Sequence, residues 1–415
     1  MSLDRCPTVV IIGGGHSGLA MSKQLSDRGI DHVVLERGEV ASSWLRQRWD
    51  SFTLLTPNWQ TTLPGASYDG DDPDGFMTGP EIAAFIQRYA TIVDAPVEVG
   101  TTVTALRPHD DGYAVETDQG TWRCRSVVLA SGASALPSLP GCAIGVPDGI
   151  ESVNPLDYRS PDQLPRGGVL VVGAAATGIQ LADEIHASGR PVTLAVGEHV
   201  RMPRTYRGRD IQHWMHSIGR LDEHYRAVDE ILKARAVASP QLIGSPERRT
   251  LDLNCLTDAG VRLRGRLGGI RDGVAMFSGG LGNHCALADQ KLDRLLDEID
   301  AWIAAQGLEG QVGPAERADT TRLEAGAPLT LDLTRGEIGS VVWATGFRPD
   351  FSWVHLPVFD DNGRLRHDGG VVDAPGVYYL GGTFLRRRKS SFIHGAADDT
   401  ADLADHLAEH LRVPV

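Results

Sequence analysis

Short apolar runs that end at glycine-rich turns are the clearest pattern along this chain of 415 residues. The run at 8–12 leads into Gly13-Gly-Gly-His-Ser-Gly18, then into a helical stretch at 19–28 and a second apolar run at 30–36. Because such runs are typical of buried parallel strands, the pattern predicts a β-α-β unit. The same order returns about 160 residues later with a strand before Gly173-Ala-Ala-Ala-Thr-Gly178, a helix over 179–188 and a strand over 192–196.

Each half of the chain closes on a similar short turn. A run at 126–129 leads into Ala130-Ser-Gly132, and a run at 340–343 leads into Ala344-Thr-Gly346. Between turns, the first half predicts short strands at 102–107, 113–117 and 121–124, and the second predicts them near 261–267 and 274–278. The repeat predicts an α/β protein that binds two dinucleotides, and such proteins usually pass electrons between them.

The second half is longer than the first by roughly fifty residues, which predicts an insertion between shared elements. We expect it in two parts, one over 201–244 and one formed by a helix near 287–306. The apolar residues of that helix fall on one face, and we interpret them as core packing. They are Leu292, Leu295, Leu296, Ile299, Trp302 and Ile303. A last helix is predicted over 396–411.

The residues of the first turn suit the chemistry of a dinucleotide. Gly13 permits the tight turn, Gly15 lets the backbone approach a pyrophosphate, and Gly18 lets the helix pack on the strand. The phosphates then lie at the helix N-terminus, where unpaired N–H groups point at them. Glu36, 18 positions after Gly18, is placed to accept hydrogen bonds from ribose hydroxyls.

Composition narrows the class of protein. The chain is 41% hydrophobic and 23% charged, as expected of a soluble globular protein, and its net charge of −14 argues against a nucleic-acid partner. Its five cysteines include no C-x-x-C pair, which disfavours a redox-active disulfide or a zinc cluster. No apolar run is long enough to cross a bilayer, and no signal peptide is expected. We therefore predict a cytoplasmic protein that neither associates with a membrane nor binds a metal ion.

Three stretches resemble the class B flavin-containing monooxygenases, a group of flavoproteins that bind two dinucleotides. They are Ala344-Thr-Gly-Phe-Arg-Pro-Asp350, Trp44-Leu-Arg-Gln-Arg-Trp-Asp-Ser-Phe-Thr-Leu-Leu-Thr-Pro-Asn58 and Gly381-Gly-Thr-Phe-Leu-Arg-Arg-Arg-Lys-Ser-Ser-Phe-Ile-His-Gly395. The resemblance implies two Rossmann-like domains of the glutathione-reductase type. An FAD domain would span 1–150 and 335–415, and an NAD(P) domain would span 155–334, with a helical insertion at about 201–310.

The resemblance also implies which residues bind the cofactors. The FAD-binding residues would be Gly13, Gly15, His16, Ser17, Gly18, Glu36, Arg37, Trp44, Arg48, Val103, Ser131, Gly132 and Gly382. The second set of cofactor-binding residues, for NADPH, would be Gly173, Thr177, Gly178, Arg201, Arg204, Thr345 and Gly346.

Two further residues are candidates for the reacting centre. Asp50 would line the isoalloxazine region, or would instead be a carboxylate that makes local hydrogen bonds at the start of a strand. His394 would stand before a helix whose positive end faces the flavin, and could donate a proton, although a lone histidine is more often structural. The basic run at 386–389 would contact a phosphate or an acidic substrate, or would pair with carboxylates of the last helix.

The second turn departs from the family pattern, because alanine occupies position 175 where glycine is expected. A Cβ there is expected to push the backbone from the pyrophosphate and to loosen NADPH binding. Basic residues that follow the second strand, among them Arg201 and Arg204, could pair with a 2′-phosphate and favour NADPH over NADH. The alternative is a solvated basic loop.

The family implies a reaction in which NADPH reduces FAD, and O₂ then gives a C4a-(hydro)peroxyflavin that oxygenates nitrogen, sulfur or a carbonyl carbon of a small substrate. One alternative is an NAD(P)H-dependent flavin oxidoreductase or oxidase that releases H₂O₂ or reduces a partner. Another is a catalytically silent FAD-binding protein. A monomer or a homodimer is expected.

Overall fold

The computed structural model of the protein describes residues 5–412. Its α-helices are α1 (His16–Asp27), α2 (Ser42–Arg46), α3 (Gly79–Ile92), α4 (Ala176–Ala187), α5 (Ile211–Ser217), α6 (Ile231–Arg235), α7 (Leu253–Ala259), α8 (Leu281–Ala305) and α9 (Ala396–Arg412).

The strands of the first half are β1 (Val9–Ile12), β2 (His32–Leu35), β3 (Thr62–Leu63), β4 (Ala66–Ser67), β5 (Val97–Glu98), β6 (Val103–His109), β7 (Gly112–Thr117), β8 (Gly120–Cys124), β9 (Ser126–Leu129) and β10 (Leu136–Pro137). The later strands are β11 (Glu151–Val153), β12 (Gly168–Val172), β13 (Val192–Ala195), β14 (Thr205–Tyr206), β15 (Arg209–Asp210), β16 (Arg262–Arg264), β17 (Leu267–Arg271), β18 (Val274–Phe277), β19 (Thr330–Asp332), β20 (Ile338–Trp343), β21 (Phe347–Arg348), β22 (His367–Asp368), β23 (Val371–Val372) and β24 (Val377–Tyr379).

The first large sheet has the strand order β22-β23-β24-β9-β1-β2-β5, and its centre is parallel. Strand β1 is covered on both faces, which explains its unbroken apolar sequence. Val9 and Ile11 pack with residues of α1 and α9, whereas Val10 and Ile12 pack with residues of the β6-β7-β8 sheet. The apolar run therefore joins two layers of core.

The second large sheet has the order β11-β20-β12-β13-β16 and is parallel throughout. Val169 and Val171 of β12 pack with residues of α4 and α7, and Leu170 and Val172 pack with residues of β17 and β18. A central apolar strand thus again lies between a helical layer and a small antiparallel sheet. The predicted α/β class is confirmed.

The strand pairing corrects the predicted domain boundaries. The predicted second domain ended at residue 334, but β20, which begins at Ile338, pairs with β12 and belongs to the second sheet. Strand β11, before the predicted start at 155, also belongs there. The chain returns towards the first sheet after Trp343, where β21 pairs with β10. The assignment of one cofactor to each half stays a prediction.

The predicted insertion at about 201–310 is not one helical piece, because β16 within it completes the second sheet. Its two outer parts pack together: Trp214 of α5 lies in one buried cluster with Leu292, Leu296 and Ile299 of α8. The apolar stripe of α8 therefore forms core as expected, although the helix begins at Leu281, before the predicted 287. None of the helices described within residues 5–412 combines the length and apolar character needed to cross a bilayer.

Candidate functional site

The first glycine turn lies at the carboxyl end of β1 and leads directly into α1. The Gly13 N–H donates a hydrogen bond of 2.8 Å to the Leu35 carbonyl oxygen. A Cβ on Gly13 would lie 2.3 Å from the carbonyl oxygen of Ala130, and one on Gly18 would lie 2.0 Å from that of Gly13. A Cβ on Gly15, in contrast, would meet nothing within 4 Å. The turn is therefore tightly packed at Gly13 and Gly18 and open at Gly15, before the amino end of α1. A pyrophosphate site requires this arrangement.

Glu36 stands at the carboxyl end of β2, beside this turn. The residue is 9% exposed, and its carboxylate accepts hydrogen bonds from the N–H groups of Gly14 at 2.7 Å and Gly38 at 2.9 Å. An adjoining open cleft of about 320 Å³ is lined by Gly38 and by the exposed Arg37. Oε1 of Glu36 also accepts a hydrogen bond of 3.4 Å from Oγ of Ser42. Oε2 accepts only from Gly14 among these groups, so its second lone pair can accept from a ribose beside the turn.

The start of β6 lies close to Glu36. The Thr101 N–H donates a hydrogen bond of 2.9 Å to the Glu36 carbonyl oxygen. This bond holds the start of the 101–103 segment beside Glu36, and the contact of Val103 with adenine stays a prediction.

Polar side-chain atoms near the first turn are buried without a partner. Nε2 of His16, Oγ of Ser131 and Nε2 of His394 have no hydrogen-bond partner among residues 5–412. Burial lowers the pKa of His16 and of His394 to about 4, and for His394 the charge of Lys389 acts in the same direction. Because buried polar groups are normally satisfied, these atoms suit a polar ligand such as FAD.

The 44–52 segment packs beside the first turn. The ring centroids of Trp44 and His16 are 6.5 Å apart, and the Arg48 guanidinium stacks over Trp44 at 5.1 Å and Phe52 at 5.5 Å. Burial lowers the pKa of Arg48 to about 10. Within residues 5–412 this guanidinium forms no ion pair, which leaves a half-buried cation beside the cofactor turn.

Arg159 fixes this segment from the second half of the chain, a contact that the sequence did not reveal. Its guanidinium donates to the carbonyl oxygens of Arg46 and Arg48, the latter at 3.1 Å. The Asp50 N–H in turn donates to the Arg159 carbonyl oxygen at 2.8 Å, and the Asp50 side chain is exposed. Asp50 therefore lies where the two halves meet, and its catalytic role stays a prediction.

The ends of β24 and α9 complete the first site. Gly382 follows β24, and a Cβ on its neighbour Gly381 would lie 3.2 Å from Oγ of Ser17 in α1. Helix α9 begins at Ala396, two residues after His394. The elements that carry the predicted FAD residues Ser17 and Gly382 are thus adjacent.

The second turn repeats the backbone contacts of the first. The Gly173 N–H donates to the Ala195 carbonyl oxygen at 2.9 Å. A Cβ on Gly173 would lie 2.3 Å from the oxygen of Ala344, and one on Gly178 would lie 1.8 Å from that of Gly173. Thr177 falls in the first turn of α4, as Ser17 does in α1. The second turn therefore has the same closed geometry behind its helix as the first, and its binding of a nucleotide stays a prediction.

The Ala344-Thr-Gly346 turn, on which the second half closes, is also part of the linker between the halves. Oγ1 of Thr345 donates a hydrogen bond of 2.7 Å to the Ser138 carbonyl oxygen, and the Ser138 N–H donates at 2.9 Å to that of Gly346. Thr345 therefore has a structural partner, and its contact with a cofactor stays a prediction.

Gln241 contributes to the second turn from a distant segment. Its Nε2 donates a hydrogen bond of 2.8 Å to the Ala174 carbonyl oxygen. The side chain is fully buried, and its Oε1 has no partner among residues 5–412. Nothing in the local sequence marked this residue, because it follows α6 and reaches the turn only through the fold.

The predicted phosphate-binding arginines are engaged elsewhere, which corrects their assignment. Arg201 is 5% exposed and pairs with Asp252 at 2.7 Å and Asp289 at 2.8 Å. Arg204 is fully buried and pairs with Asp210 at 2.6 Å. Since carboxylates already hold both guanidinium groups inside the protein, neither is free for a 2′-phosphate.

The basic run at 386–389 is also paired. Arg387 contacts Asp399 at 3.1 Å, and Lys389 contacts Asp222 at 2.5 Å and Asp398 at 2.6 Å. The ion-pair alternative for this run is therefore the one that the structure supports, and the partners include residues outside the last helix.

Comparison with known proteins identifies the family. Residues 10–239, more than half of the chain, match the model of the pyridine nucleotide-disulphide oxidoreductases. The chain belongs to this family. It is thus an oxidoreductase, and the predicted enzyme class and the FAD and NAD(P)H cofactors are confirmed. The five cysteines are nonetheless free, and none stands at a nucleotide turn.

Individual relatives refine the comparison. An uncharacterized CzcO-like oxidoreductase of Geobacillus kaustophilus is 27% identical over 97% of this chain and 98% of its own length. Indole-3-pyruvate monooxygenase YUCCA1 of Oryza sativa is 27% identical over 48% of this chain and 50% of its own. The structure of a flavin-containing monooxygenase from Stenotrophomonas maltophilia is 18% identical and covers 98% of this chain and 99% of that one with a TM-score of 0.65. The resemblance drawn from the sequence is confirmed at the level of the fold.

Proposed function

We propose that the protein is an FAD-dependent, NADPH-consuming monooxygenase that inserts one oxygen atom of O₂ into a small organic substrate at nitrogen, sulfur or a carbonyl carbon. The observation that carries this proposal is a pair of equivalent nucleotide turns without a dithiol beside them. Electrons that enter at the second nucleotide have no cysteine pair of this chain to receive them. O₂ or a diffusible molecule must accept them instead.

The positions of the cysteines support this reading. Cys6 precedes β1 and Cys124 precedes β9, so both lie at the amino ends of these strands, whereas the first nucleotide turn lies at the carboxyl end of β1. Cys255 is in α7, Cys285 is in α8 and Cys142 is in a short loop helix. The names of the YUCCA relatives and of the Stenotrophomonas structure favour oxygen transfer over disulfide reduction.

Different residues of the chain would bind different parts of FAD. Gly13, Gly15 and Gly18 would bind the FAD pyrophosphate and Glu36 the adenosine ribose. The ring of Trp44 and the cation of Arg48 would lie beside the flavin. Bound FAD supplies hydride acceptance from the nicotinamide and electron transfer to O₂. Burial keeps His394 neutral near pH 7, so that its free ring nitrogen could hydrogen-bond there without adding charge.

A second candidate is an oxidase that releases H₂O₂. Ala175 favours it, because a Cβ at the place of closest approach to the pyrophosphate would weaken the hold on oxidised NADP⁺ after hydride transfer. If NADP⁺ dissociated before an oxygen atom was transferred, water would enter the site. The reduced oxygen would then be released as H₂O₂.

One experiment separates these functions. The FAD-loaded enzyme is reduced anaerobically with NADPH and then mixed with ¹⁸O₂ and a panel of amines, sulfides and 2-oxo acids. We expect one labelled oxygen in a product and less than one H₂O₂ for each NADPH consumed with the right substrate. Stoichiometric H₂O₂ with every substrate class would contradict the monooxygenase and favour the oxidase.

The matched control is Gly178→Ala. Its Cβ would fall 1.8 Å from the Gly173 carbonyl oxygen, so the second turn must open while the first remains intact. This variant should retain FAD, lose reduction by NADPH and still react with O₂ after reduction with dithionite. If the unmodified holoenzyme is not reduced by NADPH at all, both proposals fail and a catalytically silent flavoprotein remains.

A further inference from the structure

We propose that Arg264 and Arg266, at the end of β16, bind the 2′-phosphate of NADPH and make this chain selective for NADPH over NADH. The inference rests on the proposed function only in taking the second turn as the nicotinamide-nucleotide site. It replaces Arg201 and Arg204, whose side chains are held in buried ion pairs.

The repeat shows where a 2′-phosphate would lie. Ile12 of β1 pairs with Leu35 of β2, and Val172 of β12 pairs with Ala195 of β13. By this register Val196 occupies the position of Glu36. The second site therefore lacks the carboxylate that, in the first, is placed to bind a ribose and would repel a phosphate attached to it.

Arg264 lies directly beside this position. It pairs with Ala195 in the parallel β13–β16 ladder, and the Val196 N–H donates a hydrogen bond of 2.9 Å to its carbonyl oxygen. Strand β16 thus brings a basic residue to the carboxyl end of the strand that, in Rossmann folds, ends at the adenosine ribose.

Arg266 lies beside the loop that follows β13. If Gly197 carried a Cβ, Cγ of Arg266 would lie 3.6 Å from it and Cδ would lie 3.7 Å from it. The aliphatic stem therefore runs along the backbone just after Val196, and the residue as a whole is exposed. A guanidinium carried on this stem is within reach of a ligand over the end of β13.

The Arg264 guanidinium has no carboxylate within ion-pair distance in the described part of the chain, although the charge of Glu324 acts on it from further away. The residue is 9% exposed, and its guanidinium donates to the neighbouring Leu263 carbonyl oxygen at 2.7 Å. Neither Arg264 nor Arg266 forms an ion pair with a carboxylate of residues 5–412. Because a buried cation without a carboxylate in direct contact is costly, an anion supplied by a ligand would stabilise this arrangement.

One carboxylate nearby offers the opposite specificity. Glu198, two positions after Val196, is exposed. If its carboxylate bound the ribose hydroxyls, the site would prefer NADH. The geometry favours the arginines, since both flank the end of β13 directly, whereas Glu198 lies further along the loop.

The test uses two fragments that carry no nicotinamide. Adenosine 2′,5′-bisphosphate and 5′-AMP are titrated calorimetrically into the FAD-loaded enzyme, in which the first site is filled. We expect the bisphosphate to bind at least tenfold more tightly. Arg266→Gln and Arg264→Gln should each weaken the bisphosphate about tenfold, the effect of one charge-assisted contact, and leave 5′-AMP within about twofold.

Arg262→Gln is the matched control, because Arg262 is exposed, on the same strand and at its other end. It removes the same charge and should not alter the preference. Equal binding of both fragments to the unmodified enzyme, or an equal loss in Arg262→Gln, would overturn the proposal. If Arg264→Gln fails to retain FAD, the binding of the two fragments to Arg266→Gln still tests the proposal, because Arg266 is exposed. Neither fragment transfers a hydride, so this result is independent of whether the enzyme oxygenates a substrate.

Discussion

Ala175 changes the second turn less than its sequence suggested. Its φ and ψ of −77° and −176° nearly match the −85° and −178° of Gly15, its counterpart in the first turn. These values are open to any residue, so the alanine adopts them without strain. The backbone of the second turn thus keeps the conformation of the first, and we expect any effect of the methyl group to come from direct contact with the nucleotide.

That contact is testable with Ala175→Gly. Removing the methyl group would let the pyrophosphate approach the amino end of α4, and we expect NADP⁺ to bind about threefold to tenfold more tightly, on the order of 1 kcal/mol. Calorimetric titration of the FAD-loaded enzyme measures this. Ala176→Gly, one residue further into the helix, is the control and should not tighten binding. Unchanged affinity in Ala175→Gly would mean that the ligand does not reach this position.

His367 gives a prediction about pH. Burial, followed by the charge of Arg235, lowers its pKa from 6.5 to about 4. Between these values the unfolded chain binds more protons than the folded protein, so stability is present at pH 7 and is lost as the pH falls towards 4. His367→Gln should reduce the loss of unfolding free energy between pH 7 and pH 5 by about 1–2 kcal/mol.

Urea denaturation at the two pH values measures this difference. His355→Gln, which alters an exposed histidine, should retain the pH dependence of the unmodified protein. If His367→Gln also retains it, the His367 ring binds protons in the folded protein as readily as in the unfolded chain, and the assigned burial effect is absent.

Single residues were predictable where their partners are close in sequence. Gly13, Gly18 and Glu36 lie in one β-α-β unit, so motif spacing alone brought them together. Gln241 and Arg159 reach the site from other parts of the chain, and no local pattern marks them. The same limit explains Arg201, whose carboxylate partners are 51 and 88 positions away.

At the scale of elements, continuous apolar runs located the central strands well. Helix α1 begins at His16 rather than at the expected residue 19, because Gly15 already occupies the N-cap. Helix α3 was not predicted, although the sequence carries its signal. Thr78 and Glu81 form a capping box at its start, and Ile82, Phe85 and Ile86 follow at helical spacing.

Arg204 joins elements that are remote in sequence, which sets its expected role. Its guanidinium stacks over Phe76 at 4.8 Å, pairs with Asp210 of β15 and donates to the Leu55 carbonyl oxygen at 2.8 Å. Arg204→Met leaves Asp210 without its buried counter-ion. We expect a loss of about 3–5 kcal/mol in unfolding free energy.

The same variant tests the sequence-based assignment of Arg204. In the protein that remains folded, NADP⁺ affinity should be unchanged, because the side chain is buried away from any phosphate. Denaturation and titration are measured side by side. Arg209→Met, which removes an exposed arginine from the same hairpin, should be neutral in both. Loss of NADP⁺ affinity at unchanged stability would restore Arg204 to the nucleotide site.

At the scale of the molecule, the two halves are joined by more than their linkers. The 220–226 segment belongs to the part of the chain that carries the second sheet. It lies against the 386–389 run, which follows β24 of the first sheet. The Tyr225 N–H donates a hydrogen bond of 2.8 Å to the Arg386 carbonyl oxygen, Arg388 pairs with Glu223, and Lys389 pairs with Asp222. The sequence could not reveal this contact, since its charged partners are more than 160 positions apart.

This contact adjoins the predicted flavin side of the molecule. The charges of Lys389 and Asp222 both act on His394, so the 220–226 segment lies close to the start of α9. An enzyme that transfers oxygen must exclude water at this place. We therefore expect the contact to matter for the fate of reduced oxygen as well as for stability.

The double variant Asp222→Asn/Glu223→Gln removes both carboxylates while nearly preserving shape. We expect faster hydrogen exchange over 220–235 and 384–391, a stability loss of about 1 kcal/mol and at least a twofold rise in H₂O₂ released for each NADPH. Asp332→Asn, which breaks the Arg335 pair at the end of β19, should change neither exchange in these segments nor peroxide release. Unchanged exchange in the double variant would mean that backbone and apolar contacts alone hold the halves together. Faster exchange without more H₂O₂ would instead separate this contact from the exclusion of water.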